Sequence, residues 1–454
     1  MFPPSPPLPS RPIGISLVTT QRPHVFNRRR LLGSSAVVAA WVATGCDRSE
    51  DSTGAAAPSS GPPVPLRVTF VGQPQDAEAI RRGWASVSDQ PIDIAVIDLD
   101  RAQPEGLADE VLERARQTDV AIVPLALIPQ AVHQQRLLPL TADEFQSANE
   151  ELGEIVAAVR NGAARYAGES YCIPLGAQQP FLISTEEVPK LESWEAYDQL
   201  VERWEGLSGE PTAPGWAGAM FLWRSAAERN WLFGRERLEP LVQEESYVRS
   251  LELMVQTCSR YPFKKQTPQQ VWEGIASAKL RGGIAFPERR SQTEAQITVQ
   301  ELPGTSDGSR VLLDPFSPMI GLAASCRQTA LAKQFMVWIS GGEGSRPVRQ
   351  QVLGMSDTRG RTTLAAGPAS ANESSYDRQL MRHLANPVTM PTLQLLDGGS
   401  YYGVLDRQVL RAIEGEATPS EALAEVASQW ESLTARVGQE DQIRVWRRAQ
   451  GMRG

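Results

Sequence analysis

The feature that most limits how this chain can fold is a set of short apolar segments spaced by helical ones. Residues 119–124 (DVAIVP) are nearly all apolar, which suits a strand of a parallel sheet covered on both faces. Residues 65–71 (PLRVTFV) alternate and read as a first strand, and residues 92–99 (IDIAVIDL) as a second. Gly72-Gln73-Pro74 breaks the first, a helical pattern runs from Asp76, and a second short helix is expected over 107–117. This β-α-β-α-β order implies an α/β layer architecture with right-handed crossovers.

Downstream the chain is rich in helix-start signals. Thr141 with Glu144, and Thr418 with Glu421, are spaced for capping boxes; Thr267 with Gln270 repeats the device. Pro268 and Pro419 stand at first helical positions, and Ser193 precedes a further helix. Beyond Thr418 one face carries Leu423, Val426, Trp430, Leu433 and Val437, and Gly438 stops the helix. Strands are expected over 283–286 and 311–323, and a helix over 329–340.

The start of the chain has a different character. Residues 1–45 hold five Arg and no Asp or Glu, so the remainder carries −13 against −8 for the whole. An acidic body argues against nucleic acid or an anionic membrane surface as main partner, since both need clustered Lys and Arg. Arg28, Arg29 and Arg30 directly precede an uncharged apolar run over 31–45. That is the length of a signal-peptide core and short for a membrane span. The run ends Val42-Ala43-Thr44-Gly45-Cys46. Small residues let the chain lie extended in a peptidase groove, and the Cys supplies the thiolate that accepts a lipid. The segment resembles a bacterial lipobox, and Arg-Arg followed by Leu-Leu resembles a twin-arginine export signal. The expectation is a signal peptide over 1–45, a lipidated Cys46, and a polar tether over 46–63 with a reach of about 20–25 Å. Cleavage near Ala43, or a retained apolar helix, is the alternative. With Asp47 after the Cys, the expected location is extracytoplasmic, on the periplasmic face of the inner membrane.

Motifs that carry covalent chemistry are missing from the sequence. It has no GxxxxGK[ST], no GxGxxG after a strand, no HExxH and no GxSxG. His24, His133 and His383 have no metal-ligand spacing. Cys172, Cys258 and Cys326 are far apart, and read as small buried thiols. The expectation is therefore a binding protein and not an enzyme, with no cofactor and no metal.

Several segments in order resemble the extracellular solute-binding proteins of ABC importers, the large sugar-binding family. They are DVAIVPLALIPQAVHQQRLLPLT (119–141), YAGESYCIPLGAQQPFLIST (166–185), SWEAYDQLVERW (193–204), TPQQVWEGIASAKLRGGIAFPE (267–288), ALAKQFMVWISGGEGS (330–345) and the stretch 398–434. The resemblance covers nearly all of the chain after the leader. It implies an α/β, two-lobed periplasmic-binding-protein type II fold with a ligand cleft between the lobes. By that likeness lobe 1 is 64–178 plus 298–350, lobe 2 is 179–297 plus 351–440, and 441–454 is a C-terminal tail. It further implies a monomer that closes about a hinge on a small solute, expected to be a carbohydrate, and docks on an ABC permease. The chain departs from the family in a short segment after Val71, and in Ser184-Thr185 where many members carry Tyr-Asn or Tyr-Arg.

Sugars are held by aromatic rings stacked on their C–H faces and by planar polar side chains on their hydroxyls. The chain has 11 Trp against 11 Phe, a high ratio that favours such stacking. The candidate ligand-binding residues are Gln73, Gln178, Gln179, Trp216, Trp223, Glu288, Tyr401 and Tyr402. Each also has a plainer role as core or solvated residue, and adjacent Tyr401 and Tyr402 cannot both face one cleft. Two other functions stay open: a cell-surface carbohydrate-active hydrolase or lyase, and a binding lipoprotein that serves as sensor or scaffold without transport.

Overall fold

The structure, a computed structural model, describes residues 63–451 except 142, 144–147, 151, 227–230, 290–296, 305–309, 343, 361–373 and 391. The expected signal peptide, Cys46 and the tether up to residue 62 lie outside the described residues, as does Glu144 of the first expected capping box. Among the described residues no helix is long and apolar enough to cross a membrane.

The strands are β1 (Leu66–Val71), β2 (Ile92–Ile97), β3 (Val120–Pro124), β4 (Glu154–Ile155), β5 (Cys172–Pro174), β6 (Phe181–Ser184), β7 (Gly282–Ala285), β8 (Thr298–Gln300), β9 (Pro318–Leu322) and β10 (Arg359–Gly360). The helices are α1 (Pro74–Ala85), α2 (Leu107–Arg114), α3 (Ile128–His133), α4 (Ala157–Gly162), α5 (Trp194–Arg203), α6 (Ala217–Ser225), α7 (Glu245–Arg260) and α8 (Pro268–Ala276). They continue as α9 (Thr329–Ile339), α10 (Arg346–Gln351), α11 (Ser375–Leu384), α12 (Gly398–Ile413), α13 (Pro419–Val437) and α14 (Gln439–Ala449).

One five-stranded sheet has the order β2-β1-β3-β9-β5. Its first three strands are parallel, as the apolar runs predict, while β9 is antiparallel to both β3 and β5. Successive residues of a strand face opposite sides. Accordingly Leu66, Val68, Phe70, Val120 and Ile122 pack with Ile80, Trp84, Phe335 and Trp338 of α1 and α9. Ala121 and Val123 point the other way, into a core with Leu107, Val111 and Leu127.

The chain leaves this sheet after β5, builds the antiparallel sheet β7-β6-β8, and returns at β9. Two segments, 175–180 and 301–317, thus join the two sheets, which makes the fold two-lobed. Thr298–Gln300, grouped with lobe 1 in the sequence, hydrogen-bonds to β6 of the smaller sheet. Only Pro318–Leu322 of the strand expected over 311–323 is a strand. Pro315 has no amide hydrogen to give a ladder, and the Ser317 amide turns back to the Asp314 carbonyl.

The capping boxes at Thr267 and Thr418 form as expected, each Thr accepting from an amide three residues on. Gly438 ends α13, but the chain is helical again as α14, so the segment expected as a tail is structured for most of its length. Trp446 is buried 5.5 Å from the Phe233 ring, and Phe233 stacks on Trp430 at 4.9 Å. The Gln442 amide clamps both the N–H and the carbonyl of Leu396.

Candidate functional site

In open α/β sheets, ligands sit outside the carboxyl ends of the parallel strands. Here those ends supply Gln73 after β1 and Arg101 in the irregular segment after β2. Facing them are Gly215 and Trp216 at the start of α6, residues 286–289 after β7, and the joining segments.

Arg101 is the most heavily engaged side chain of the group. Its Nη1 and Nη2 donate to the two carboxylate oxygens of Asp314 at 2.8 and 2.9 Å, and its Nε to the Gly215 carbonyl at 3.2 Å. The guanidinium carbon lies 3.5 Å from the centre of the Trp216 ring and 4.5 Å from that of Phe316. Planarity permits this combination: a guanidinium offers two donors in its plane and its faces to aromatic rings. Gly215 has φ +84°, and a Cβ there would sit 2.6 Å from the Arg101 Cβ, so only glycine allows the approach. Asp406 of α12 holds that corner, accepting from the Gly215 and Gly218 amides at 2.6 and 2.8 Å. Burial pushes the Asp406 carboxyl up, against the pull of those two amides.

A second crossing contact runs the other way. Arg289, past β7, donates to Asp76 in the first turn of α1, to the Gln351 carbonyl, and to Gln73 Oε1 at 2.9 Å. The two lobes are therefore shut on each other.

The structure places the expected residues in several different settings. Gln73 lies in the Arg289 contact, and Trp216 under Arg101. Gln178 donates to the carbonyls of Pro287 and Glu288 at 2.7 and 3.2 Å, so the first joining segment is tied to the loop after β7. Glu288 accepts from the Gln269 amide at 3.2 Å, and burial raises its carboxyl. Gln179 exchanges hydrogen bonds with the Tyr376 hydroxyl through its own backbone. Trp223 donates to the Leu312 carbonyl at 2.9 Å and meets Phe286 edge-on, as Trp216 does. Tyr401 is buried away from these groups, its hydroxyl on Thr434 at 2.8 Å, while the Tyr402 hydroxyl accepts from the Leu393 amide at 3.1 Å. Sequence reasoning did not single out Arg101, Asp314, Phe316, Arg289 or Asp76. The strand-end rule could have found Arg101, four residues past β2. Asp314 gave no local signal, because its partner is far away in sequence.

Two cavities border this region, one lined by Gln178, Pro287 and Tyr376 and one by Gln179, Trp223 and His383, each of ≈ 20 Å³. Such spaces hold a water or two. A solute site needs roughly 300 Å³ or more, and these two cavities fall well short of it.

Neither a protein-family model nor a curated protein sequence matches this chain. Solved structures do match. A solute-binding protein from Agrobacterium radiobacter in complex with ribitol is 13% identical at TM-score 0.65, covering 82% of this chain and 98% of its own. The sugar-binding protein MalE of Xanthomonas citri is 13% identical at TM-score 0.63, with the same coverage. The GacH receptor of Streptomyces glaucescens, solved unliganded and with acarbose, is 15% identical at TM-score 0.58, again over 82% and 98%. At these identities the likeness is one of fold: the chain has the two-lobed architecture of the periplasmic binding proteins, as the ordered segments implied.

Proposed function

We propose that this protein is an extracytoplasmic solute-binding lipoprotein that captures a carbohydrate by closure of its lobes and delivers it to an ABC permease. The observation that carries the reading is the closing geometry. Two lobes meet at a cleft, and Arg101 and Arg289 reach across it from opposite sides onto Trp216 and Asp76. A cleft that shuts on an aromatic face suits a sugar ring. The matched structures, with ribitol and acarbose bound, support the same ligand class. Division into 64–178 plus 298–350 and 179–297 plus 351–440 is part of this proposal, with 298–300 moved to the second lobe by its pairing with β6. Cys46 would anchor the protein by a lipid, and the monomer would act alone.

A thermal-shift screen with monosaccharides, oligosaccharides and polyols tests the reading. A ligand that binds the native state raises the midpoint by mass action. If none does, and a polysaccharide is cleaved instead, the surface-hydrolase alternative replaces it. Adjacent permease and ATPase genes separate transport from a sensor or scaffold role. Cys46→Ala should release the protein into the soluble fraction; continued membrane retention would favour an apolar helix as anchor.

A further inference from the structure

We propose that Arg359 forms the floor of a small oxyanion site, which takes phosphate, sulfate or a carboxylate on the Nε–Nη2 edge of its guanidinium. The proposal does not rest on the solute-binding reading.

Arg359 lies in β10, which pairs with β4, and it is 8% exposed. Its Nη1 is spent on two neutral acceptors, Asn149 Oδ1 at 2.9 Å and the Gly153 carbonyl at 2.7 Å. The opposite edge is unused. Among the described residues the buried Nε has no hydrogen-bond partner, and no carboxylate offsets the charge. Asp357, two residues before it, is engaged by Arg349. Arg349 brings a second positive charge. Burial, and then that neighbouring charge, push the Arg359 guanidinium down to about 10, which leaves it cationic at neutral pH. A buried cation without a counter-charge is costly, and such groups are held in proteins by pairing or by a bound ion.

The shape of the free edge sets the ligand class. Nε–H and the Nη2–H beside it point the same way, and they match two oxygens of one carboxylate, phosphate or sulfate. A neutral hydroxyl would leave the charge unmatched. Beside the stem the chain has glycine: a Cβ at Gly341 would meet Arg359 Cδ and Leu152 Cδ1 only at 3.7 Å, so no side chain covers Arg359 there.

The site adjoins a segment that joins the lobes. The Ser356 amide donates to the Leu175 carbonyl at 3.0 Å, and its hydroxyl accepts from the Ala177 amide at 3.0 Å. The Thr358 hydroxyl donates to the Pro174 carbonyl at 3.1 Å. An anion on Arg359 thus braces a strip already bonded to the start of the first joining segment.

The test is titration of the full chain with sodium phosphate, sodium sulfate and sodium acetate at low millimolar concentration, with ionic strength held constant by sodium chloride. Calorimetry should count a single anion per chain, and the melting midpoint should rise saturably by mass action. A response to phosphate and sulfate identifies a tetrahedral inorganic ion; a response to acetate identifies a carboxylate; either supports the site. Arg359→Lys keeps the charge and loses the fork, so binding should weaken about tenfold or more. Arg359→Met should abolish it. Should neither variant fold, hydrogen exchange on the unaltered protein gives the same reading: phosphate should protect the amides around Gly153 and Arg359 and leave α13 unchanged. No saturable response to any of the three anions overturns the proposal. So does a response that both variants retain, or protection spread evenly along the chain. An oxyanion response that first appears in Glu151→Gln or Glu343→Gln also overturns it, because a carboxylate of this chain would then be the ordinary partner of Arg359.

Discussion

Arg289 and Asp76 bridge the cleft, with Nη1 2.5 Å from Oδ1, although 213 positions separate them. The same guanidinium reaches the Gln351 carbonyl, and Asp76 accepts from the Leu353 amide at 3.4 Å. One side chain past β7 therefore fastens both α1 and the end of α10, two elements of the larger-sheet lobe.

Arg289→Ala should shift the unliganded protein toward an open form, read as a larger radius of gyration in solution scattering. A solute that binds the closed form then pays for closing. A loss of about 1–2 kcal/mol corresponds to roughly 5–30-fold weaker binding. An unchanged scattering profile and affinity would show that the contact does not govern closure.

The ion pair of Arg224 with Glu210 is fully enclosed, with side-chain exposures of 1% and 0%. Tyr261 donates to the same carboxylate at 2.5 Å, and the guanidinium lies 4.3 Å from the Trp194 ring centre. Arg224→Met leaves a buried carboxylate without its cation and should cost about 3–5 kcal/mol. Adding Glu210→Leu should recover much of that in urea unfolding. A double variant as unstable as the sum of the singles would refute this account.

Asp119 should set part of the acid limb of stability. Burial pushes its carboxyl up, but the Arg67 side chain and the amides of Arg327 and Arg67 outweigh burial and hold it at about 2, below the ordinary 3.8. The folded value lies below the unfolded one, so the contribution is full above about pH 4 and is lost as pH falls through 3.8 toward 2. Arg67→Ala should move the acid-unfolding midpoint to higher pH and cost about 2–3 kcal/mol at neutral pH. Circular dichroism against pH reads both.

Gly215→Ala is expected to displace the segment that carries Arg101. The new Cβ would meet the Arg101 Cβ at 2.6 Å and the Ala102 amide nitrogen at 2.9 Å, at a φ of +84°. Strain of this kind costs about 1–3 kcal/mol. Because Arg101 covers Trp216, tryptophan fluorescence should change along with the melting midpoint; an unaltered spectrum would contradict the close approach.

Much of the fold was legible because its signals are local. The apolar runs of β1, β2 and β3, the Thr267 and Thr418 caps and the stripe Leu423–Val426–Trp430 each lie within one element. What escaped reading depends on partners far along the chain. β8 is short and half-buried, and only its pairing with β6 defines it. The 311–323 run is mostly apolar, yet Pro315 and the turn at Asp314 divide it. At the site, Trp216 and Gln73 stood out by residue type and position. Arg101 and Asp314 are ordinary charges until the fold brings them together across 213 positions.

The docking of Trp446 against Phe233 has a consequence for how the chain comes into being. The aromatic core around Phe233 takes the Trp446 side chain from a helix far along the chain from Phe233 itself. A nascent chain stopped at Gly438 would expose Trp430 and Phe233 to water, and contacts this distant slow folding. Phe233 and Trp430 are thus enclosed only once α14 has docked, and a chain without that helix would carry an unfinished aromatic core.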